Sequence, residues 1–308
     1  MPEVLVSRPL ALESGDAAWL ALKKIARVHV RTVESKVALT RHPKLKNVAA
    51  VITMGTDPVD SKFLAAAPQL AIVANHAVGY NNIDLDAARA RGVIVCNTPG
   101  VLTNATAELT IGLLFAAARR FGEGVTMIRK SAYRGWHPCL MLGRELAGAR
   151  LGIVGHGRIG AAVAAKAWAL GMDVVHSSPM GGIALDDLLR TSDFVSIHCP
   201  LNAKTKGMFG SREFALMKQG SYLINAARGE IVDERALLAA LRKNLRGAAL
   251  DVFHNEPKLN PKLRTHPAVF VLPHLGSATV EARAGMARLA VNAVIEVLSG
   301  RPPANRVS

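Results

Sequence analysis

Three charged residues each follow a short apolar run, at places a fold alone does not require. Arg228 comes in Leu223-Ile224-Asn225-Ala226-Ala227-Arg228-Gly229, Glu256 in Asp251-Val252-Phe253-His254-Asn255-Glu256-Pro257, and His274 in Leu272-Pro273-His274-Leu275-Gly276-Ser277. Singly, each reads more readily as a surface ion pair or a loop residue. Together they are the groups needed to place a proton on a carbonyl oxygen while its carbon is reduced. An imidazole exchanges a proton near neutral pH, and a carboxylate beside it orients the ring and favours its charged form. A guanidinium fork holds a carboxylate or polarises a carbonyl more specifically than an ammonium does. Hydride transfer to a 2-oxo acid fits this set, with His274 as acid/base, Glu256 as its partner and Arg228 as the substrate clamp.

Such residues need a scaffold that gathers strand ends, and the stretch Leu151-Gly152-Ile153-Val154-Gly155-His156-Gly157-Arg158-Ile159-Gly160 supplies its organising element. A short apolar run enters a glycine turn, and an Ala-rich helical segment follows from Ala161 to Leu170. That is the strand, turn and helix context of a dinucleotide site. Gly155 permits the tight turn, Gly157 the approach of a pyrophosphate, and Gly160 close packing of helix on strand. The N–H groups of the helix's first turn then face the phosphates.

Around that turn, apolar strand-like runs alternate with helical segments at short spacing, which predicts parallel sheets covered on both faces. A first alternating unit ends near Asn97-Thr98-Pro99-Gly100. A long helix is expected from Thr103 to Arg120, then a less regular stretch over 121–148, then a second alternating unit opened by the glycine turn. The last helix, from Thr279 to Leu298, is long enough to return to the first unit. The expected domains are therefore 1–98 plus 280–308, and 99–279. At 308 residues the chain is long enough for two cores, and half of it is hydrophobic.

The formal net charge is +15, but the basic residues are spread out with no dense run and no interleaved aromatics. A solvated basic surface with a bias toward small anions is expected, and neither nucleic acid nor membrane is an expected partner. Cys96, Cys139 and Cys199 are scattered without ligand spacing, so no metal site is expected and a reduced, cytoplasmic setting is.

Across nearly the whole chain the motifs resemble the D-isomer-specific 2-hydroxyacid dehydrogenases, and most closely their glyoxylate/hydroxypyruvate reductase branch. The resemblance is carried by Val78-Gly79-Tyr80-Asn81-Asn82-Ile83-Asp84, Asn97-Thr98-Pro99-Gly100, the glycine turn, His198-Cys199-Pro200-Leu201, and the three blocks holding Arg228, Glu256 and His274. It implies an α/β fold of two doubly wound parallel-sheet domains, with a Rossmann nucleotide-binding domain inserted into a flavodoxin-like substrate-binding domain. It assigns Arg228, Glu256 and His274 the roles given above, and the substrate carboxylate to N–H groups around Val78 and Gly79. It implies that Thr106, Gly155, Gly157, Arg158, Ile159, Gly160, Ser177, Ser178, Cys199, Pro200, Ala226, Arg228, Asp251, His274 and Gly276 lie along NAD(P), with Asp251 on the nicotinamide carboxamide. Residues 101–148 resemble the family's dimerisation region, which implies a homodimer. Trp136 either reaches the partner subunit's substrate pocket or packs at the dimer interface.

At the end of the second strand of the nucleotide unit, NAD-specific relatives carry an Asp for the ribose 2′-OH. Here Ser178 stands in that place, and Pro179 stands where an Arg for a 2′-phosphate would be. Nothing repels a 2′-phosphate, and His176, Ser177 and Ser178 can hydrogen-bond one, so NADP(H) is expected over NAD(H). The following connection, Met180-Gly181-Gly182, is short for the family. The expected activity is reduction of glyoxylate, hydroxypyruvate or a similar small 2-oxo acid. The alternatives are a D-lactate-, phosphoglycerate- or phosphite-type oxidoreductase, or a nucleotide-sensing protein of the corepressor kind that shares this scaffold.

Overall fold

The structure, a computed structural model, describes residues 1–32 and 38–307. The chain divides into two compact units, Met1–Leu102 with Ala278–Ser308, and Thr103–Ser277. The first crossing falls four residues beyond the expected 98/99 boundary and the return two residues before 279/280. The cause of the first shift is local. Asn97 and Thr98 are bonded to Asn305 and Ala77, and Val101 lies against Gly285, all within the first unit.

The first unit contains β1 (Glu3–Val6), α1 (Ala17–Ile25), β2 (Arg27–Val30), β3 (Val48–Met54), α2 (Ser61–Ala66), β4 (Ile72–His76), α3 (Leu85–Ala90) and β5 (Ile94–Cys96). Its five strands are parallel in the order β2-β1-β3-β4-β5, the flavodoxin-like doubly wound order. Side chains alternate across the sheet, as a period of two requires. Leu5, Val51 and Val73 pack toward Phe63, Leu64 and Ala88 of α2 and α3. Val4, Val6, Ile52 and Ala74 pack toward Leu22 of α1 on the other face.

The second unit contains α4 (Thr103–Ala118), α5 (Phe121–Arg129), β6 (Arg150–Val154), α6 (Arg158–Ala169), β7 (Asp173–Ser178), β8 (Gly181–Gly182), α7 (Leu185–Thr191), β9 (Phe194–Ile197), α8 (Ser211–Leu216), β10 (Ser221–Asn225), α9 (Glu234–Ala240), β11 (Leu245–Leu250), α10 (Pro261–Arg264) and β12 (Val269–Val271). The strand order is β12-β11-β10-β9-β6-β7-β8. Counted from β6, this is the 3-2-1-4-5-6 Rossmann series with one more strand beyond it, and the third position is occupied by β8. That strand is antiparallel to β7 and only two residues long. The chain then returns to the first unit as α11 (Val280–Leu298), capped by Thr279, whose Ala290, Val291 and Val294 complete the core over β3 and β4.

One expectation needs correction. The stretch after α4 is not irregular from 121 onward, because α5 occupies Phe121–Arg129. Gly122 and Gly124 obscure the helical signal. Gly122 lies where a side chain would crowd Phe270, and Arg120 makes a two-pronged bond to Glu123 in the first turn. Among the described residues no helix is long and apolar enough to cross a membrane.

Candidate active site

Arg228, Glu256 and His274 sit in loops after β10, β11 and β12, three neighbouring strands, so the sheet brings their C-terminal ends to one edge. The first loop is built on Asn225, which is 1% exposed. Its amide donates to the Arg228 carbonyl at 2.9 Å, and its side-chain oxygen accepts the Ala227 N–H at 3.0 Å. Any side chain at Gly229 would run into the Phe253 carbonyl, so this glycine lets the first two loops touch. Burial pulls Arg228 below the usual arginine range, and the carboxylates of Glu256 and Glu230 counter it.

His274 Nδ1 lies 2.8 Å from Glu256 Oε2, and the other carboxylate oxygen of Glu256 accepts the Phe253 N–H at 3.2 Å. With Nδ1 engaged, Nε2 is the nitrogen available to a substrate. The His274 backbone is left-handed, with φ of +57°, a costly conformation for a residue with a Cβ. Asp251 holds it there. Its carbonyl accepts the His274 N–H at 2.8 Å, and its carboxylate accepts Leu275 N–H at 2.6 Å and Gly276 N–H at 2.8 Å. Burial raises the Asp251 pKa, against those two N–H groups and His274. A side chain on Gly276 would crowd Asp251 and Thr106, so α4 brings Thr106 against this loop.

The glycine turn fits a dinucleotide on its own geometry. Gly155 has φ of +97°, and a Cβ there would meet the Cys199 backbone nitrogen at 2.5 Å, so His198 and Cys199 border the turn. Gly157 caps α6 without a side-chain bond, and a Cβ there would meet nothing within 4 Å. The first turn of α6, with Arg158 and Ile159, is therefore open to a phosphate. Ser177 accepts the Gly155 N–H through its carbonyl at 2.9 Å. Ser178 is already engaged: its hydroxyl donates to the Gly181 carbonyl at 3.1 Å and accepts the Met180 N–H at 3.3 Å, closing the turn between β7 and β8.

In the first unit, Asn97 donates to the Val78 carbonyl at 2.8 Å and Asn75 to the Gly79 carbonyl at 2.9 Å. The N–H groups of Val78 and Gly79 have no partner among the described residues. Trp136 follows α5 and is 78% exposed. The sequence reading missed Asn225, Asn75 and Asn97. Each is a buried or half-buried amide at the end of a strand, a position where asparagine braces a turn, and that was the available signal.

The family profile described as D-isomer specific 2-hydroxyacid dehydrogenase, NAD binding domain, matches residues 111–276. A glyoxylate reductase of Thermococcus litoralis is 44% identical over 281 residues, covering 86% of this chain and 85% of that protein. A solved structure of a Thermus thermophilus protein superposes with a TM-score of 0.91 at 40% identity, covering 99% of this chain and all of that one. An NADPH-dependent glyoxylate/hydroxypyruvate reductase of Sinorhizobium meliloti, solved with NADP and malonate, gives a TM-score of 0.86 at 30% identity, covering 100% and 97%. With a dinucleotide turn, a paired histidine and carboxylate, and these relatives, the chain belongs to the D-2-hydroxyacid dehydrogenases, NAD(P)-dependent enzymes that interconvert 2-oxo and 2-hydroxy acids.

Proposed function

We propose that this enzyme reduces glyoxylate and hydroxypyruvate to the D-2-hydroxy acid, with NADPH as its preferred reductant. The observation that carries the reading is the 2.8 Å pairing of His274 Nδ1 with Glu256, on a loop edge shared with Arg228. The nicotinamide, when bound, supplies the hydride. Glu256 keeps a proton on His274 Nδ1, and Nε2 delivers its own proton to the carbonyl oxygen of the substrate. Arg228, charged and half-buried, steadies negative charge on that oxygen or on the carboxylate. The N–H groups of Val78 and Gly79 offer two donors for the carboxylate. Gly155, Gly157, Arg158, Ile159 and Gly160 take the pyrophosphate. Thr106, Ser177, Ser178, Cys199, Pro200, Ala226, Asp251 and Gly276 line the rest of the cofactor, with Asp251 also holding the His274 loop.

The preference for NADPH is supported by the missing acid at the end of β7, where Ser178 stands, and by the positive net charge of +15. Assembly as a homodimer through 101–148 is supported by the exposed apolar side chains Phe121, Val125, Ile128, Trp136 and Leu142. The three free cysteines suit a reducing, cytoplasmic setting. Initial rates with NADPH and NADH against glyoxylate, hydroxypyruvate and pyruvate test the reading. Turnover of the first two with NADPH is expected. Efficient use of pyruvate with neither of the others would overturn the substrate assignment, and a preference for NADH the cofactor assignment.

A further inference from the structure

Two histidines meet beside the glycine turn. His156 is the turn's second residue and His176 lies on β7, and their rings stack with centroids 4.0 Å apart and planes 19° apart. Strand register sets the arrangement: Ile153 of β6 pairs with His176, and the Gly155 N–H bonds to the Ser177 carbonyl. The short β8 strand backs His176 from beyond. Ile183 N–H bonds to the His176 carbonyl at 2.9 Å, and any side chain at Gly182 would run into that carbonyl and crowd the ring. The two-residue β8 strand therefore lies directly against the second imidazole.

This is the edge at which a doubly wound nucleotide domain distinguishes a 2′-hydroxyl from a 2′-phosphate. The usual acid is replaced by Ser178, whose hydroxyl is spent inside the β7–β8 turn, and Pro179 follows it. The titratable group left on this edge is the imidazole pair. Stacked rings do not both carry a proton readily, since burial and then His176 lower the His156 pKa. Two charges on stacked rings repel, so a dianion bound beside the stack favours a single proton on it.

The surrounding elements carry few competing charges. From the loop after β9, burial pushes His198 down to about 4 and Cys199 up to about 11, so both stay neutral. α6 carries Arg158 and Lys166, the latter bonded to Glu108. Arg150 and Asp173, on β6 and β7, pair with each other, and Asp186, Asp187 and Arg190 of α7 sit in ion pairs that include Arg212. The β7–β8 turn has no ionisable side chain.

We propose that the His156–His176 stack reads the cofactor's 2′-phosphate as a singly protonated pair, so that discrimination in favour of NADP over NAD strengthens as pH falls. The inference rests on the NADP reading above. It is tested by equilibrium binding of NADP and NAD to the full chain at constant ionic strength. The ratio of Kd for NAD to Kd for NADP is expected to rise about tenfold between about pH 8.5 and about pH 6.5. Protonation of the phosphate itself, with its second pKa of about 6, would move the ratio the opposite way. Calorimetry in buffers of different ionisation enthalpy should show uptake of about one proton with NADP and none with NAD. His156→Leu and His176→Gln should each flatten the ratio. A ratio independent of pH with NADP still preferred, or a slope that survives both substitutions, overturns the role of the stack and leaves the NADP reading intact. Preference for NAD at every pH overturns both. If neither variant folds, proton uptake by the unaltered chain decides.

Discussion

The residues proposed to react depend on other side chains for their placement. His274 keeps its left-handed backbone because Asp251 engages three consecutive N–H groups, and Arg228 keeps its place because Asn225 closes the loop under it. The chemistry proposed for Arg228 needs a planar fork in a half-buried setting. Arg228→Lys retains a cation but not the fork, and a buried ammonium gives up its proton more easily. It is expected to lower kcat/KM for the 2-oxo acid by about a hundredfold, a loss of roughly 2.7 kcal/mol in transition-state stabilisation. Near-normal kcat/KM would show that charge alone suffices there. The placing of Arg228, Glu256 and His274 on neighbouring strand ends was legible in the sequence because each follows an apolar run. Asp251 and Asn225 were less so: a polar residue ending a buried strand looks like an ordinary cap until its partners are seen.

Among elements, those with a full period could be read and those without could not. The strands of both sheets read as short apolar runs, as strands buried on both faces do, and the glycine turn announces β6 and α6. By contrast β8 is two glycines with no side chains to pattern, and α5 carries two glycines in nine residues. The start of β9 shows a tie that no periodicity reveals. Asp193, nearly buried, accepts Lys218 at 2.6 Å, the Arg150 N–H at 2.9 Å and Arg144 at 3.0 Å, joining β6, β9 and the approach to β10. Burial raises its pKa, but Lys218, the Arg150 N–H and Arg144 outweigh that and leave it below the ordinary value of 3.8. A carboxyl depressed by folding stabilises the native state above its unfolded pKa, and the benefit disappears as pH falls through the folded one. Asp193→Asn should therefore cost about 2 kcal/mol near neutrality, seen as a lower urea midpoint. The difference should shrink below about pH 4, and a constant gap down to strong acid would remove the electrostatic account.

At the scale of the whole molecule, Trp136 carries the prediction that links assembly to selectivity. A side chain 78% exposed on a single chain, in a segment that also exposes Phe121, Ile128 and Leu142, is expected to be covered in the proposed dimer. If the proposed dimer forms, Trp136→Ala should loosen it in sedimentation experiments and change the ratio of kcat/KM for glyoxylate over hydroxypyruvate. A change in assembly with unchanged selectivity would leave Trp136 as packing alone. The return of α11 to the first unit has another consequence. Its Ala290, Val291 and Val294 fill a core whose other walls are strands near the amino terminus. On a ribosome, residues 1–102 emerge first but cannot close that core until 280–298 have been made, whereas 103–277 are contiguous. The unit synthesised second is thus the first able to finish folding, and the opening segment waits, with its apolar strands uncovered, for most of the chain to be translated.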